Sequence, residues 1–480
     1  MKQLFKNINL NKKELLGFLF FIGLWLLIWA TYNADLFRIF EPGFPHGAIE
    51  LIHGLRTFLP LVSSILAVIF LIIKRDNFPK NFFLTPLGLL SLYAGIGIIS
   101  SIFSKSPLGS LYWGSLYAAP IIVLSAILVS ANPLKKISTI ININWAIAGI
   151  LSVLLIIIFL IQPGVITSLT TNFLICQERP FEGIAGIITA APSLGMFGSR
   201  PTGLGRYAGV AVIIALAYLL GEKMGKKYFI WLLSFIISFL ILLFSKGRTA
   251  LAAFLVAMVG ILWFHKKFKT YWVLFLGLAF LLTVSVTFFN IPCANGLDFI
   301  NSLPQYSIFG NSSSITNNYK DSFLDITEPA ITVPGIKSIW TIVTLSGRVT
   351  GAWKEAYALF LESPWVGYGF QADRYFLNGQ HAHNTIVQAI LQTGLSGTLL
   401  LMVAFILTFI YLCQAFFRKG IEKKEKHFLL GMIGVFIFFA GRSVTESSGA
   451  YFDADWLFLA PIVAYAQYLK NFKFNENKNI

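Results

Sequence analysis

The densest set of side chains able to do chemistry lies between residues 346 and 397. It opens with Ser346-Gly347-Arg348 and passes Trp353, Pro364, Gly367 and Gly369. It then reaches His381-Ala382-His383-Asn384, with Gly394 and Gly397 beyond. The chain has six histidines, and two of them stand together where a long apolar run begins. Asn384 suits the cap of a helix starting there, because its side-chain oxygen can accept from first-turn N–H groups that have no partner within the helix. The positive end of a helix macrodipole favours neutral imidazole over its charged form. A neutral imidazole is what a general base must be. Two plainer readings stand beside this one: a histidine that only caps the helix, and a metal pair at His-x-His spacing. A zinc site needs three or four ligands, and no further Cys or His cluster supplies them. No metal and no cofactor are expected.

Arginines mark the ends of other apolar runs. Arg200 and Arg206 fall in Phe197-Gly198-Ser199-Arg200-Pro201-Thr202-Gly203-Leu204-Gly205-Arg206, and Arg248 closes the short Ser245-Lys246-Gly247-Arg248. An arginine beside hydrocarbon is costly and normally has a partner or a function. In Gly441-Arg442-Ser443-Val444-Thr445-Glu446, the nearby Glu446 reads as the partner of Arg442.

The elements that must position these groups are membrane helices. Of 480 residues, 56% are hydrophobic and 12% charged, against about 25% charged in soluble domains. Mean hydropathy is +0.74. Disorder and a disulfide scaffold are excluded by the high apolar content and by only three cysteines in a long chain. A hydrocarbon core of ~30 Å demands apolar runs of about 17–25 residues. Twelve are read, near 15–32, 57–73, 82–102, 112–131, 139–161, 203–221, 228–244, 249–264, 271–289, 386–416, 428–440 and 456–469. The chain is thus predicted to be an all-α integral membrane protein with about 12 transmembrane helices and a large periplasmic loop carrying an amphipathic helix. The first run is read as a retained helix, since no small-residue cleavage site follows it.

Charge gives the topology. With the N-terminus inside, 23 of the 37 basic residues fall in short cytoplasmic segments, as the positive-inside rule requires. Both termini are then cytoplasmic. The net charge of +16 is accounted for by this bias, and nothing remains to argue for nucleic acid. Of the inner bases 21 are lysine, whereas nine of the fourteen outer bases are arginine. Arginine carries a planar fork of donors that stays charged in a low-dielectric site and grips phosphate or carboxylate. Nine together favour an outer anion site over scattered pairing with the outer acids.

Three parts are expected: residues 1–289 with transmembrane helices one to nine; 290–385, a large periplasmic loop with the catalytic motif; and 386–480, with the last three helices and a cytoplasmic tail. In the loop, Val349, Trp353, Tyr357 and Phe360 recur at helical spacing from Thr350 to Ser363. This predicts an amphipathic helix at the outer membrane boundary, with Trp353 and Trp365 at interfacial depth. Cys176 and Cys293 fall in outer loops on this map, either as free thiols or joined in an oxidising periplasm.

The pattern resembles the O-antigen ligase and O-antigen polymerase superfamily of bacterial membrane glycosyltransferases. Their shared features are an Arg before an amphipathic helix, a Pro-Gly-x-Gly turn, a His-x-His-Asn or His-x-x-His-Asn element, and a Gly-x-x-Gly in the following span. Here these are Arg348; Pro364 with Gly367 and Gly369; His381-Ala382-His383-Asn384; and Gly394 with Gly397. The match runs over about 200–450. Many members place an Asn-Pro-Asn-like element where this chain has Gly205-Arg206-Tyr207.

The resemblance implies a bacterial inner-membrane enzyme that moves a glycan from a polyprenyl diphosphate carrier to a hydroxyl of lipid A core or of another glycan, without a metal. It implies His383 and Arg348 as catalytic residues, with Arg200, Arg206, Arg248, His381 and Asn384 binding substrate. Expected partners are therefore the polyprenyl diphosphate-linked glycan, its acceptor and membrane lipids. Arginine forks aimed at a leaving diphosphate can do the work of a divalent metal. Two other readings differ in class. A small-anion transporter should place ionisable groups near the bilayer midplane, often on broken helices, and an anchoring protein gives no reason for clustered Arg and His.

Overall fold

A computed structural model describes residues 12–31, 48–161, 201–244, 248–265, 352–377 and 381–476. Among these residues the regular structure is entirely helical. The helices are α1 (Lys12–Ala30), α2 (Ala48–Leu55), α3 (Leu59–Ile73), α4 (Pro86–Ser100), α5 (Pro107–Leu128), α6 (Pro133–Ile161) and α7 (Pro201–Leu219). They continue as α8 (Lys226–Phe244), α9 (Arg248–Phe264), α10 (Ala352–Glu362), α11 (Ala372–Phe376), α12 (Thr385–Phe416), α13 (Lys423–Arg442) and α14 (Ala454–Glu476). Eleven of the twelve apolar runs coincide with one of these helices; the run at 271–289 lies outside the described residues.

Among the described residues, six segments are long and apolar enough to cross a membrane: Arg56–Ile73, Pro86–Phe103, Pro107–Leu128, Pro133–Leu154, Lys226–Leu243 and Thr385–Phe416. Shorter apolar stretches occupy Glu14–Ala30, Gly205–Leu219 and Thr249–Phe264. Large apolar side chains stay exposed on these helices, among them Ile69, Ile72, Leu233 and Leu399. An exposed apolar face of that kind is stable only against lipid or another protein.

The interior is tied by a few satisfied polar groups. Trp25 and Trp29 both donate to Asn144 Oδ1 at 2.8 Å, and Asn144 Nδ2 donates to Leu457 O at 2.7 Å. One buried asparagine thereby joins α1, α6 and α14, which is how a buried amide avoids its desolvation penalty. Tyr117 stacks on Trp456 with centroids 4.6 Å apart. The hydroxyls of Tyr93 and Tyr117 donate to the carbonyls of Ala450 and Gly449. These two tyrosines, on α4 and α5, hold the α13–α14 loop from beneath.

The sequence reading takes 386–416 as one uninterrupted span. In the structure α12 breaks at Gly394, whose φ of 61° and ψ of −165° are not helical. The backbone of 364–369 takes up the freed groups. Tyr368 N donates to Leu391 O and Gly369 N to Gln392 O, both at 2.8 Å, while Leu395 N donates to Pro364 O at 2.8 Å. The Pro-Gly-x-Gly turn and the Gly-x-x-Gly element are therefore two sides of one joint. Only glycine fits it: a Cβ on Gly394 would lie 2.3 Å from Trp365 C, and one on Gly367 would lie 2.6 Å from Gly394 N.

Candidate active site

The half of α12 before the break carries the His-x-His-Asn element at its N-terminus. Asn384, in extended conformation, accepts from Ile386 N and Val387 N at 2.9 and 3.0 Å, as its expected capping role requires. Its amide donates to Val444 O at 2.9 Å, and Thr385 N donates to Ser443 O at 2.9 Å. Thr385 Oγ1 donates to Ser448 O at 3.0 Å. The helix start is stitched to the α13–α14 loop on several sides.

Each histidine meets a carboxylate. His381 Nδ1 lies 2.8 Å from Asp373 Oδ2, and His383 Nδ1 lies 3.2 Å from Glu446 Oε2. The two rings are 5.6 Å apart. Asp373, on α11, is fully buried. Burial by itself raises its pKa, but hydrogen bonds from His381, from Gln388 at 2.8 Å and from Ala382 N outweigh this and hold it below the ordinary carboxylate range. His381 is thus clamped by a buried anion. His383 is the more open of the pair, with 36% of its side chain accessible, and its backbone has φ 49°. A left-handed non-glycine residue is uncommon and clusters at functional sites.

A second charged group adjoins the histidines. Arg206, on α7, lies 2.7 Å from Asp455 and 3.4 Å from Asp453, and the fully buried Arg442 lies 3.3 Å from Asp455. The expected Arg442–Glu446 pair is not the observed arrangement. Arg442 turns to Asp455, while Glu446 turns to His383. The loop decides this by leaving α13 at Ser443 and carrying Glu446 over the start of α12. Burial, together with the adjacent Asp455, pushes Asp453 up to about 7 against the pull of Arg206. Tyr451 lies between the two assemblies, its ring 5.6 Å from His381. Burial, with Asp453, raises its hydroxyl well above the ordinary phenol value.

The structure brings His381, His383, Asn384 and Arg206 to one loop. Arg248 is the first residue of α9, with its side chain outside the described set; Arg200, Arg348, Cys176 and Cys293 also lie outside the described residues. Asp373, Tyr451, Asp453 and Asp455 escaped the sequence reading, which counted the acids among them only as outer charge, and Glu446 entered it only as a partner for Arg442. The one available signal was the pair of acids, Asp453 and Asp455, opening the last apolar run. Trp353 is partly buried and its Nε1 donates to Ala382 O at 2.6 Å, so it braces the His-x-His backbone. Tyr357, Leu361 and Trp365 form the exposed apolar side instead.

Helices of membrane-crossing length and apolarity, with histidine–carboxylate and arginine–aspartate contacts at their ends, are the build of a polytopic membrane protein. Residues 233–402 match the model of the O-antigen ligase family, so the chain carries a domain of that superfamily. That match, together with the apolar helices, supports a multi-pass membrane protein of O-antigen ligase and polymerase type. No curated protein and no solved structure matches the chain.

Proposed function

We propose that this chain transfers a glycan from a polyprenyl diphosphate to a hydroxyl of lipid A core or of another glycan, without a metal. The site faces the periplasm, in an inner-membrane protein of twelve spans with both termini cytoplasmic. His383 removes the proton from the acceptor hydroxyl through Nε2. The acceptor oxygen attacks the anomeric carbon as the glycosidic bond to the diphosphate breaks, inverting that centre, and the diphosphate leaves with the bonding electrons. Arg348, Arg200 and Arg248 grip the departing charge, with Arg206 at the edge of that grip. His381 and Asn384 hold the half-helix in place. Charge stabilised only as the bond breaks lowers the barrier without tightening the ground state.

The observation that carries this reading is the contact between His383 Nδ1 and Glu446. With a carboxylate accepting at Nδ1, the imidazole presents Nε2 as its basic atom, and the positive charge it gains has a partner. A transporter built on a broken helix leaves the freed backbone facing a cavity. Here the break at Gly394 is filled by the 364–369 backbone, which favours a rigid enzyme site.

The test uses purified His383→Ala protein that inserts and unfolds like wild type, supplied with polyprenyl diphosphate-linked glycan and an acceptor. Loss of a general base lowers the rate by ~10²–10⁴-fold; transfer near the wild-type rate removes His383 from the role. Supplying lipid A core and free glycan separately distinguishes ligase from polymerase.

A further inference from the structure

At the end of α12 away from His381, roughly 33 Å beyond the Gly394 break at 1.5 Å per residue, a cavity of ≈ 200 Å³ opens between α12, α13 and α14. Arg418, Lys419 and Lys470 line it, with Glu425 as its single carboxylate. Tyr411 and Leu469 provide an apolar wall. We propose that this cavity is a binding site for the phosphate headgroup of an anionic glycerophospholipid.

Lysines that only set topology lie in water and need no fixed position. Here Lys470 Nζ is held 5.1 Å from the centroid of the Tyr411 ring, which also lines the cavity. Such a cation–π contact keeps the charge at the cavity wall instead of in bulk solvent. Three cations against one carboxylate leave the lining with a surplus for a phosphodiester. The apolar wall suits the glycerol and the first methylenes of an acyl chain. Pockets that enclose a drug-sized ligand measure ~300–1,000 Å³, so this one encloses a group the size of a glycerol phosphate. Basic pockets between membrane helices are the form in which headgroup recognition recurs. The cavity shares α12 with the histidines yet lies at its other end, so the inference stands apart from the proposed transfer reaction.

The experiment titrates the purified full-length chain in neutral detergent with phosphatidylglycerol, phosphatidylcholine or soluble glycerol 3-phosphate, and reads the thermal unfolding midpoint. Phosphatidylglycerol is expected to stabilise the wild-type chain. The triple variant Arg418→Ala, Lys419→Ala, Lys470→Ala should lose apparent affinity by on the order of a hundredfold, and Lys470→Gln alone by about fivefold. The control Lys223→Ala, Lys226→Ala, Lys227→Ala removes the same charge elsewhere and should titrate like wild type. A triple variant that binds as wild type overturns the site. A control that loses as much affinity shows diffuse charge and overturns it too. Equal response to phosphatidylcholine removes the anionic headgroup, and equal affinity for glycerol 3-phosphate replaces the lipid with a soluble phosphate. Lys470→Gln carries the test if the triple variant fails to fold.

Discussion

Replacing Gly394 by alanine probes the joint that holds the histidine-bearing half-helix. The residue sits at φ 61°, ψ −165°, a region essentially confined to glycine, where another residue costs ~1–3 kcal/mol. The new Cβ would also lie 2.3, 2.4 and 2.5 Å from Trp365 C, Val366 N and Trp365 O. All three are backbone atoms, so no side-chain rotation relieves the clash. The 364–369 segment must move away, which breaks hydrogen bonds such as Tyr368 N to Leu391 O and Leu395 N to Pro364 O. Each contributes ~0.5–1.5 kcal/mol net, so with the backbone strain the combined loss is about 2–6 kcal/mol. Gly95→Ala is the control, because a Cβ there meets nothing within 4 Å and alanine is the better helix former. Thermal unfolding in detergent, alongside a transfer assay, gives both readouts. Gly394→Ala should unfold well below Gly95→Ala and lose transfer more than its remaining folded fraction explains, because α12 no longer sets His383 against Glu446. Equal unfolding midpoints for the two variants would refute the joint.

Further outcomes follow from the charged groups. Glu446→Gln should lower kcat by ~10–10³-fold, within the range of general-base effects, with little change in KM; an unaltered kcat removes Glu446 as the positioning partner of His383. Asp455→Asn leaves two guanidiniums to share Asp453, and breaking a buried pair costs ~3–5 kcal/mol, so it should destabilise more than Asp453→Asn in denaturation at one pH; the reverse order contradicts the geometry. Asp453 has its folded pKa raised from 3.8 to about 7, so its contribution to stability is full below pH 3.8 and is lost as pH rises through about 7. Asp453→Asn, neutral throughout, should therefore gain stability relative to wild type between pH 5 and pH 8, and a difference that does not vary with pH argues against this titration.

The share of the site legible in the sequence was its helix punctuation and its rarest residues. Asn384 marked a helix start by its chemistry alone, and Gly367 and Gly369 marked a turn; both glycines adopt positive φ. His381 and His383 stood out because histidine is scarce in this chain and paired only there. Asp373, Asp453 and Asp455 did not stand out, for they are ordinary polar residues until their neighbours are known, and Glu446 was noticed only with the wrong partner.

Apolar run length and glycine position are properties of the chain read one residue after another, so a membrane-helix architecture and the turn and helix start around His381-Ala382-His383-Asn384 were determined by sequence alone. Which carboxylate meets which histidine, and that Arg442 prefers Asp455 to Glu446 four residues away, were decided only by tertiary structure. The physical reason is distance. Electrostatic and hydrogen-bond energies depend on ångström separations between segments as far apart in the chain as 206 and 455, and local periodicity carries no information about those separations.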